Sequence, residues 1–352
     1  MCSAGWRYEC KTINEKEDKA LTAEPILKVD GLTKYFDISA GLFQPKKQVH
    51  AVENVSFVLN ESETLGIVGE SGSGKSTLAR VILGLVPESS GKVLYRDKDI
   101  TGLRGREAKK LHQELQMVFQ DPYASLNPRM KIGEAIAEPM LVNQIVKDKS
   151  EAKIEVKRLM EIVGLREDMV ERFPHEFSGG QRQRIGIARA LALRPKILIC
   201  DESVSALDVS VQAQILNLFN QLKRQLNLTY MFIGHDLSVV KYISDRILVL
   251  YLGEVMEMAD TEELFAHTLH PYTKALISAI PEPSTKGRKQ RILLEGDIPS
   301  SVNPPAGCRF CTRCYQATDK CRMEHPQLAE VRPGHFVACH YWQIQEGGGL
   351  NG

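Results

Sequence analysis

A glycine-rich segment between an apolar run and a helix-forming run most constrains what this sequence can fold into. Residues 69–77 read GESGSGKST and match the pattern G-x-x-x-x-G-K-[ST]. The apolar run Thr64–Val68 before them predicts a buried strand, and residues 75–85 predict a helix. In such a unit, consecutive backbone N–H groups point at an anion, and the helix N-terminus adds partial positive charge. The sequence therefore predicts a phosphate-binding loop within an α/β fold.

The residues of this loop have expected roles in nucleotide binding. Lys75 is expected to reach the β- and γ-phosphates, and the Ser76 hydroxyl is expected to bind Mg²⁺. The alternative is a turn rich in serine and glycine with a chance lysine, which the flanking strand and helix disfavour. The other nucleotide-binding candidates of the loop are Gly69, Ser71, Gly72, Ser73, Gly74 and Thr77.

Two adjacent carboxylates follow a second apolar run. Residues 197–200 lead directly into Asp201 and Glu202, and ligands bind at the carboxyl ends of the strands in open α/β sheets. Asp201 is expected to hold Mg²⁺, and Glu202 to polarise the attacking water as a general base. The alternative, that the pair only caps a neighbouring helix, is weak because the phosphate loop supplies a partner for both carboxylates.

Strands alternate with helices along most of the chain, which predicts a parallel sheet covered by helices on both faces. After Pro281 the content of Pro, Gly and Cys rises and the hydrophobic periodicity fades. We therefore expect a flexible leader at residues 1–24, a nucleotide-binding domain at 25–281 with a helical subdomain at about 122–180, and a small extension at 282–345.

Composition and hydrophobic patterning limit which partners and which cellular location we expect for this chain. Of the 352 residues, 45 are Lys or Arg and 44 are Asp or Glu, so the charge balance gives no reason to expect a nucleic-acid partner. No apolar run approaches the ~20 residues that a membrane-spanning helix needs. Residues 1–24 are polar and lack the apolar core of a secretion signal. We expect a chain that stays in the cytoplasm and serves a membrane, if at all, from its surface.

Residues 177–184 carry a family resemblance. They read FSGGQRQR and resemble the signature motif of ABC ATPases, with Ser178 standing 23 residues before Asp201, as is usual in that family. The resemblance implies that this helix start faces the γ-phosphate bound to an opposite subunit, which sandwiches ATP between two chains. The residues implied in that contact are Ser178, Gly179, Gly180 and Gln181.

The remaining motifs follow in the order that the family has. Gln120 resembles the Q-loop glutamine, which senses Mg²⁺ and the γ-phosphate and couples to the membrane subunit. Asp208, in the segment SALD, resembles the D-loop aspartate, and His235 resembles the switch histidine that contacts the γ-phosphate. Phe36 is the implied adenine-stacking aromatic and Tyr35 is its competitor, while packing alone could explain either.

Four further segments narrow the resemblance to the ATPases of oligopeptide and dipeptide importers. They read PYASLNPR at 122–129, YLG at 251–253, HPYT at 270–273 and PPAGC at 304–308. The similarity is closest to the second, F-type ATPase of such importers. It implies the fold of a P-loop NTPase ABC cassette. That fold has a RecA-like parallel-sheet core, an antiparallel β subdomain and a helical subdomain, followed here by a small Cys-rich C-terminal extension.

The resemblance also implies an activity and partners. It implies an ATPase that uses ATP and Mg²⁺ to drive peptide import. The chain would lie peripherally on the cytoplasmic face of the membrane, beside two transmembrane permeases and a sister ATPase, and indirectly serve an extracellular or periplasmic solute-binding protein. One alternative is an importer of nickel chelates or other small solutes.

Two other classes of protein fit the sequence less well. Soluble ABC ATPases of translation or DNA repair usually join two cassettes or carry a long coiled-coil insertion, and this chain has neither. A non-catalytic regulatory subunit conflicts with the presence of every expected catalytic group. These groups are Lys75, Asp201, Glu202 and His235.

Two residues depart from the family pattern. Ser203 stands where the family usually has proline, and Phe177 replaces the usual leucine of the signature. Neither change removes a catalytic group, but Ser203 is expected to loosen the turn that holds Glu202.

Five of the eight cysteines fall within the last 45 residues. In a reducing cytoplasm such a cluster favours metal over disulfides. Thiolates suit an iron–sulfur cluster or tetrahedral zinc, and the resemblance implies a [4Fe–4S] cluster, with Zn²⁺ as the alternative. Free cysteines in a loop-rich tail remain a third interpretation. The candidate ligands are Cys308, Cys314, Cys321 and Cys339 in a C-x₅-C-x₆-C-x₁₇-C spacing, with Cys311 as a fifth thiol.

Overall fold

The structure, a computed structural model, describes residues 25–38, 47–121, 123, 125–281 and 291–346. The predicted leader at residues 1–24 lies outside the described residues, as does the start of the predicted extension at 282–290. Within the described ranges, no helix combines the length and the apolar character needed to cross a bilayer.

Short strands and helices alternate along the described chain. The strands are β1 (Pro25–Ile38), β2 (Lys47–Asn60), β3 (Thr64–Val68), β4 (Ser90–Tyr95), β5 (Lys98–Asp99), β6 (Leu115–Val118), β7 (Ile197–Asp201), β8 (Thr229–Gly234), β9 (Arg246–Tyr251), β10 (Glu254–Asp260), β11 (Ala329–Arg332) and β12 (His335–Val337). The helices are α1 (Lys75–Ile82), α2 (Gly105–Glu114), α3 (Ile132–Val142), α4 (Lys149–Ile162), α5 (Gly179–Leu191), α6 (Val209–Leu226), α7 (Leu237–Ile243), α8 (Thr261–Ala266), α9 (Pro271–Ser278), α10 (Asp319–Met323) and α11 (Trp342–Glu346). Two short 3₁₀ helices between α4 and α5 span Glu167–Glu171 and Pro174–Glu176.

The smaller of two sheets is antiparallel, with the strand order β2-β1-β4-β5. Leu27 of β1 lies opposite Leu59 of β2, and Val29 lies opposite Val93 of β4. These four side chains are buried and share one apolar core with Leu78 of α1. The sheet therefore packs over the helix that follows the phosphate loop, and it forms the expected antiparallel β subdomain.

The larger sheet has eight strands in the order β11-β12-β10-β9-β3-β8-β7-β6. The five strands from β9 to β6 run parallel. β3 is buried along its whole length, as expected for a parallel strand covered on both faces. Because the strands are parallel, their carboxyl ends meet at one edge. Three features lie at that edge: the phosphate loop after β3, the acidic pair at the end of β7, and His235 after β8.

A helical subdomain formed by α3, α4 and the start of α5 stands between β6 and β7. Asp148 begins α4 by accepting the backbone N–H groups of Ser150 and Glu151, which is an N-cap. Ile136 of α3 and Met160 of α4 are fully buried. Their apolar cluster continues beneath α6, so the subdomain and the central sheet share one packed core.

The end of the described chain extends the central sheet. β12 pairs antiparallel with β10, with Val337 opposite Glu257, and β11 pairs with β12. The faded periodicity of this region predicted no strands, because strands of three and four residues are too short to show alternation. The domain boundaries expected from the sequence stay a prediction.

Candidate functional site

The phosphate loop has the backbone that its glycines permit. Gly74 has φ 100°, and a Cβ atom there would lie 2.1 Å from the Ala51 carbonyl oxygen, so only glycine fits. Lys75 follows at the start of α1 and folds back over the loop. Its Nζ donates to the carbonyl oxygens of Gly69 at 2.8 Å and Glu70 at 2.9 Å. Burial lowers the pKa of Lys75, and a bound phosphate would oppose that shift.

Two of the three residues expected to hold Mg²⁺, Ser76 and Asp201, lie side by side, and Gln120 is the third. The Ser76 hydroxyl donates to Asp201 Oδ1 at 2.8 Å, although the two residues are 125 positions apart. Asp201 is 5% exposed, and burial raises the pKa of its carboxyl. A divalent cation would favour the ionised form. Serine hydroxyl and carboxylate oxygens are the ligands that Mg²⁺ prefers, so this pair fits the expected ion.

Three predicted catalytic residues meet around the Glu202 carboxylate. Gln120 Nε2 donates to Glu202 Oε2 at 3.0 Å, and His235 Nδ1 lies 3.4 Å from the same oxygen. Glu202 has φ 45°, the left-handed region, and its N–H donates to the Ile233 carbonyl oxygen at 3.0 Å. The ends of β6, β7 and β8 thus bring a carboxylate, an amide and an imidazole to one point beside the Mg²⁺ pair.

The two candidate adenine-stacking aromatics differ in how they are held. The Tyr35 hydroxyl donates to Glu53 at 2.5 Å, and its ring packs 4.4 Å from the His50 ring. Burial and the Glu53 carboxylate raise the pKa of Tyr35 to about 12. Phe36 is 40% exposed, with Lys34 Nζ 4.8 Å from its ring centre. Phe36 therefore offers an open ring face, and its role stays a prediction.

The signature and D-loop residues begin their own helices. The Ser178 hydroxyl accepts the Gln181 N–H at 3.3 Å, and the Ser178 N–H donates to Gln181 Oε1 at 3.0 Å, a reciprocal capping box at the start of α5. Asp208 caps α6 by accepting the Val211 N–H at 3.0 Å. A Cβ atom on Gly180 would lie 2.3 Å from Val211 Cγ1, so α5 and α6 touch there. The contact with a partner's ATP stays a prediction.

The cysteines of the C-terminal region surround one small cavity. It has a volume of about 20 Å³ and is lined by five thiols together with His270 and Phe310. Burial raises the pKa of the Cys308 thiol to about 12 and that of Cys339 to about 11. Among the described residues, no three His, Cys, Asp or Glu side chains are arranged to hold one metal ion. The five thiols are Cys308, Cys311, Cys314, Cys321 and Cys339.

Two arginines that the sequence did not single out reach the nucleotide site from the cysteine run. Arg313 makes a salt bridge to Glu70 of the phosphate loop at 2.6 Å, and Arg309 makes one to Glu53 at 2.7 Å. Arg309 and Arg313 are spaced four residues apart within CRFCTRC. That spacing was the only signal, because their acidic partners are 243 and 256 positions away.

Comparison with known proteins agrees with this geometry. The family described as "ABC transporter" matches residues 52–205, and the family "Oligopeptide/dipeptide transporter, C-terminal region" matches residues 256–321. The putative oligopeptide transport ATP-binding protein YkfD of Bacillus subtilis is 50% identical over 92% of this chain and 97% of its own length. The oligopeptide transport ATP-binding protein OppF of Salmonella typhimurium is 51% identical over 89% of this chain and 95% of its own.

Solved structures match the cassette part of the fold. The dimeric post-hydrolysis structure of the ATP-binding cassette MJ0796, bound to ADP and Pi, aligns with a TM-score of 0.60 at 28% identity, over 67% of this chain and 98% of its own. CbiO1 of Clostridium perfringens aligns with the same score and identity, over 69% of this chain and 91% of its own. This chain therefore belongs to the ATP-binding proteins of the oligopeptide/dipeptide ABC transporter family.

Proposed function

We propose that this chain hydrolyses ATP to power the import of di- and oligopeptides across a cell membrane. The observation that carries the proposal is the meeting of Gln120, Glu202 and His235 beside the Ser76–Asp201 pair. The relatives that are 50% and 51% identical are named for oligopeptide transport, which favours peptides over nickel chelates as the transported solute. The same names disfavour a role in translation or DNA repair.

In the proposed mechanism the chain's residues mainly position and neutralise charge. Lys75 binds the terminal phosphates. Ser76, Asp201 and Gln120 would hold Mg²⁺, which would supply positive charge against the charge of the phosphates. Glu202 orients and polarises the attacking water. His235, in contact distance of the same carboxylate, contacts the γ-phosphate.

The proposed assembly places this chain peripherally on the cytoplasmic face of the membrane. Its helical subdomain, at about residues 122–180, contacts two permease subunits, and a sister ATPase supplies the opposite signature motif. In the proposed division, residues 25–281 form the nucleotide-binding domain and residues 282–345 the Cys-rich extension. The capping geometry of Ser178 supports the trans contact, because its α5 N-terminus is a ready anion site.

Mass spectrometry of the proteins that co-purify with the tagged chain from gently solubilised native membranes tests this assembly. We expect two permeases and a sister ATPase, with a solute-binding protein that identifies the peptide class. A set of soluble partners without permeases would leave the ATPase in place and overturn the transport proposal.

For the C-terminal thiols we propose a structural [4Fe–4S] cluster, with zinc as the alternative. Thiolates are ligands of both groups, and five thiols of the extension line one cavity. The resemblance to peptide-importer ATPases favours the iron–sulfur cluster. The ligands in this proposal are Cys308, Cys314, Cys321 and Cys339, with Cys311 as an alternate.

Anaerobic purification followed by iron, sulfide and zinc assay tests the cluster. We expect about four irons and four sulfides per chain, lost in Cys308→Ser. Cys200→Ser is the matched control, since Cys200 is also buried but lies in β7, outside the extension. A colourless chain without metal contradicts the proposal, and zinc alone in the site would replace it.

A further inference from the structure

Every polar group of Glu70, the second residue of the phosphate loop, has a partner within the chain. Its backbone N–H donates to the Tyr272 hydroxyl at 3.0 Å. Its carbonyl oxygen accepts from Lys75 Nζ at 2.9 Å. Its carboxylate pairs with Arg313. The position of Glu70 therefore bears directly on where Lys75 lies.

The Arg313 contact is bidentate and largely shielded from solvent. Its two Nη atoms lie 2.6 and 3.1 Å from the two Glu70 oxygens, and the Arg313 side chain is 8% exposed. The guanidinium also lies 6.0 Å from the Tyr251 ring centre. The hydrogen bond to Glu70 raises the pKa of Arg313. Fork-shaped pairs of this kind fix geometry as well as charge.

A second arginine of the same run supports the adenine side of the site. Arg309 Nε donates to Glu254 at 2.6 Å, and its Nη2 donates to Glu53 at 2.7 Å. Glu53 in turn accepts the Tyr35 hydroxyl, one residue before the exposed Phe36. The cysteine run therefore contacts the phosphate loop directly through Arg313 and reaches Tyr35 of β1 through Glu53 of β2.

The run that carries these arginines is itself held by an aromatic cluster. Phe310 is fully buried, with its ring centre 5.3 Å from that of Tyr251 and 5.2 Å from that of Tyr272. Tyr272 is the residue whose hydroxyl accepts the Glu70 N–H. The extension thus reaches Glu70 by two routes, through the Arg313 salt bridge and through packing on Tyr272.

We propose that Arg313 is a positioning residue for ATP, through which the C-terminal extension sets the shape and charge of the phosphate loop. Without Arg313, the Glu70 carboxylate would be unpaired beside the triphosphate of bound ATP. Glu70 would also lose the salt bridge that holds its backbone carbonyl oxygen, the acceptor of the Lys75 Nζ hydrogen bond, in position. Both effects oppose anion binding. The inference rests on the proposed function, because Glu70 matters to ATP only if the loop binds it.

Equilibrium binding of MgATP by the full chain, with steady-state turnover alongside, tests the proposal. Arg313→Gln is expected to weaken ATP binding by at least about 5-fold, which is the low end of typical coupling between two sites. The change in kcat should be smaller than the change in ATP affinity. Arg322→Gln, a change of the same type at an exposed position of the extension, is the matched control and should bind as the wild type does. Equal affinity of Arg313→Gln and the wild type would overturn the proposal.

Two further variants separate positioning from loss of fold. If Arg313→Gln does not fold, Glu70→Gln breaks the same pair from the loop side. It leaves no unpaired carboxylate, so it should weaken binding only through the lost salt bridge, and by less than Arg313→Gln. If both fold, the double variant should bind no more weakly than Arg313→Gln alone, because the two residues act as one pair; strictly additive losses would contradict this. Lys75→Ala reports on the proposed function itself. If Lys75→Ala binds ATP as the wild type does, the proposed ATP site itself is wrong. If Lys75→Ala loses ATP binding but Arg313→Gln binds normally, the ATP site stands and only the role of Arg313 is wrong.

Discussion

The carboxylate of Glu202 is the group whose loss should separate ATP binding from hydrolysis. Glu202→Gln keeps the size of the side chain and can still bond Gln120, which lies 3.0 Å away, but the amide cannot polarise water as a base. We expect turnover to fall by about 10²–10⁴, with ATP affinity retained. Phosphate release and equilibrium nucleotide binding measure the two effects. Lys75→Ala is the control that should lose binding itself, and unchanged turnover in Glu202→Gln would refute its role as the base.

The exposed ring of Phe36 should contribute more to ATP affinity than the ring of Tyr35. Tyr35 is engaged with Glu53 and His50, whereas Phe36 is 40% exposed. Stacking of a base on an aromatic ring is worth about 1–3 kcal/mol, so Phe36→Ala should weaken ATP binding by about 5-fold or more. The control Tyr35→Phe keeps the ring and removes only the hydroxyl. A larger loss in Tyr35→Ala, which removes the competing ring, than in Phe36→Ala would reverse the assignment.

Most residues of the candidate site could be predicted because they belong to short linear patterns. Lys75 and Ser76 follow from the loop itself, and Asp201 and Glu202 follow from the strand before them. The choice between Tyr35 and Phe36 could not be made in this way. It depends on Glu53 and His50 of the neighbouring strand β2, and a single sequence does not show which of two adjacent aromatics a cross-strand partner engages.

At the scale of elements, a buried ion pair fastens the β11–β12 hairpin to the cassette. His335 Nε2 lies 2.9 Å from Glu257 of β10, and both side chains are fully buried. His335 Nδ1 lies 3.3 Å from Glu263 of α8, which also pairs with Arg332. Burial alone would lower the pKa of His335, but its hydrogen bonds and the carboxylate charges outweigh burial and raise it.

This shift predicts a pH-dependent stability. The pKa of His335 is higher in the folded chain than its usual 6.5. The ion pair therefore contributes its full stabilisation of the fold below pH 6.5, and this stabilisation is lost as the pH rises through the pKa of the folded state. The melting temperature of the wild type should therefore fall, as pH rises above 6.5, by more than that of His335→Gln. Exposed His175 gives the control variant His175→Gln. Parallel pH profiles for wild type and His335→Gln would contradict the prediction.

The same hairpin shows why sequence patterns recover some elements and not others. β3 is a short buried run of five residues that leads directly into the glycine-rich loop, and this local context identifies it without tertiary information. β12 has three residues, and it is a strand because β10 offers Glu257 and Met258 as backbone partners. Its existence depends on pairing across about 80 positions, which no local pattern records.

At the scale of the whole molecule, local sequence patterns also do not record the contact between the extension and the phosphate loop. The cysteine spacing drew attention to the extension as a metal module, yet Arg313 and Glu70 are 243 positions apart. Each residue alone reads as an ordinary surface charge. Only the fold, in which β9, α9 and the cysteine run meet beside the loop, brings them together.

Coupling between two sites is reciprocal, which gives a prediction for the whole chain. If the ordered extension favours ATP through Arg313, bound ATP must favour the ordered extension by the same factor. Hydrogen exchange of the backbone amides in residues 308–321 should therefore slow when a non-hydrolysable MgATP analogue saturates the chain. Arg313→Gln, measured at a ligand concentration that restores saturation, should lose most of this slowing, and Arg322→Gln should keep it. Equal slowing in Arg313→Gln and the wild type would mean that the extension senses ATP through the Tyr272 contact instead.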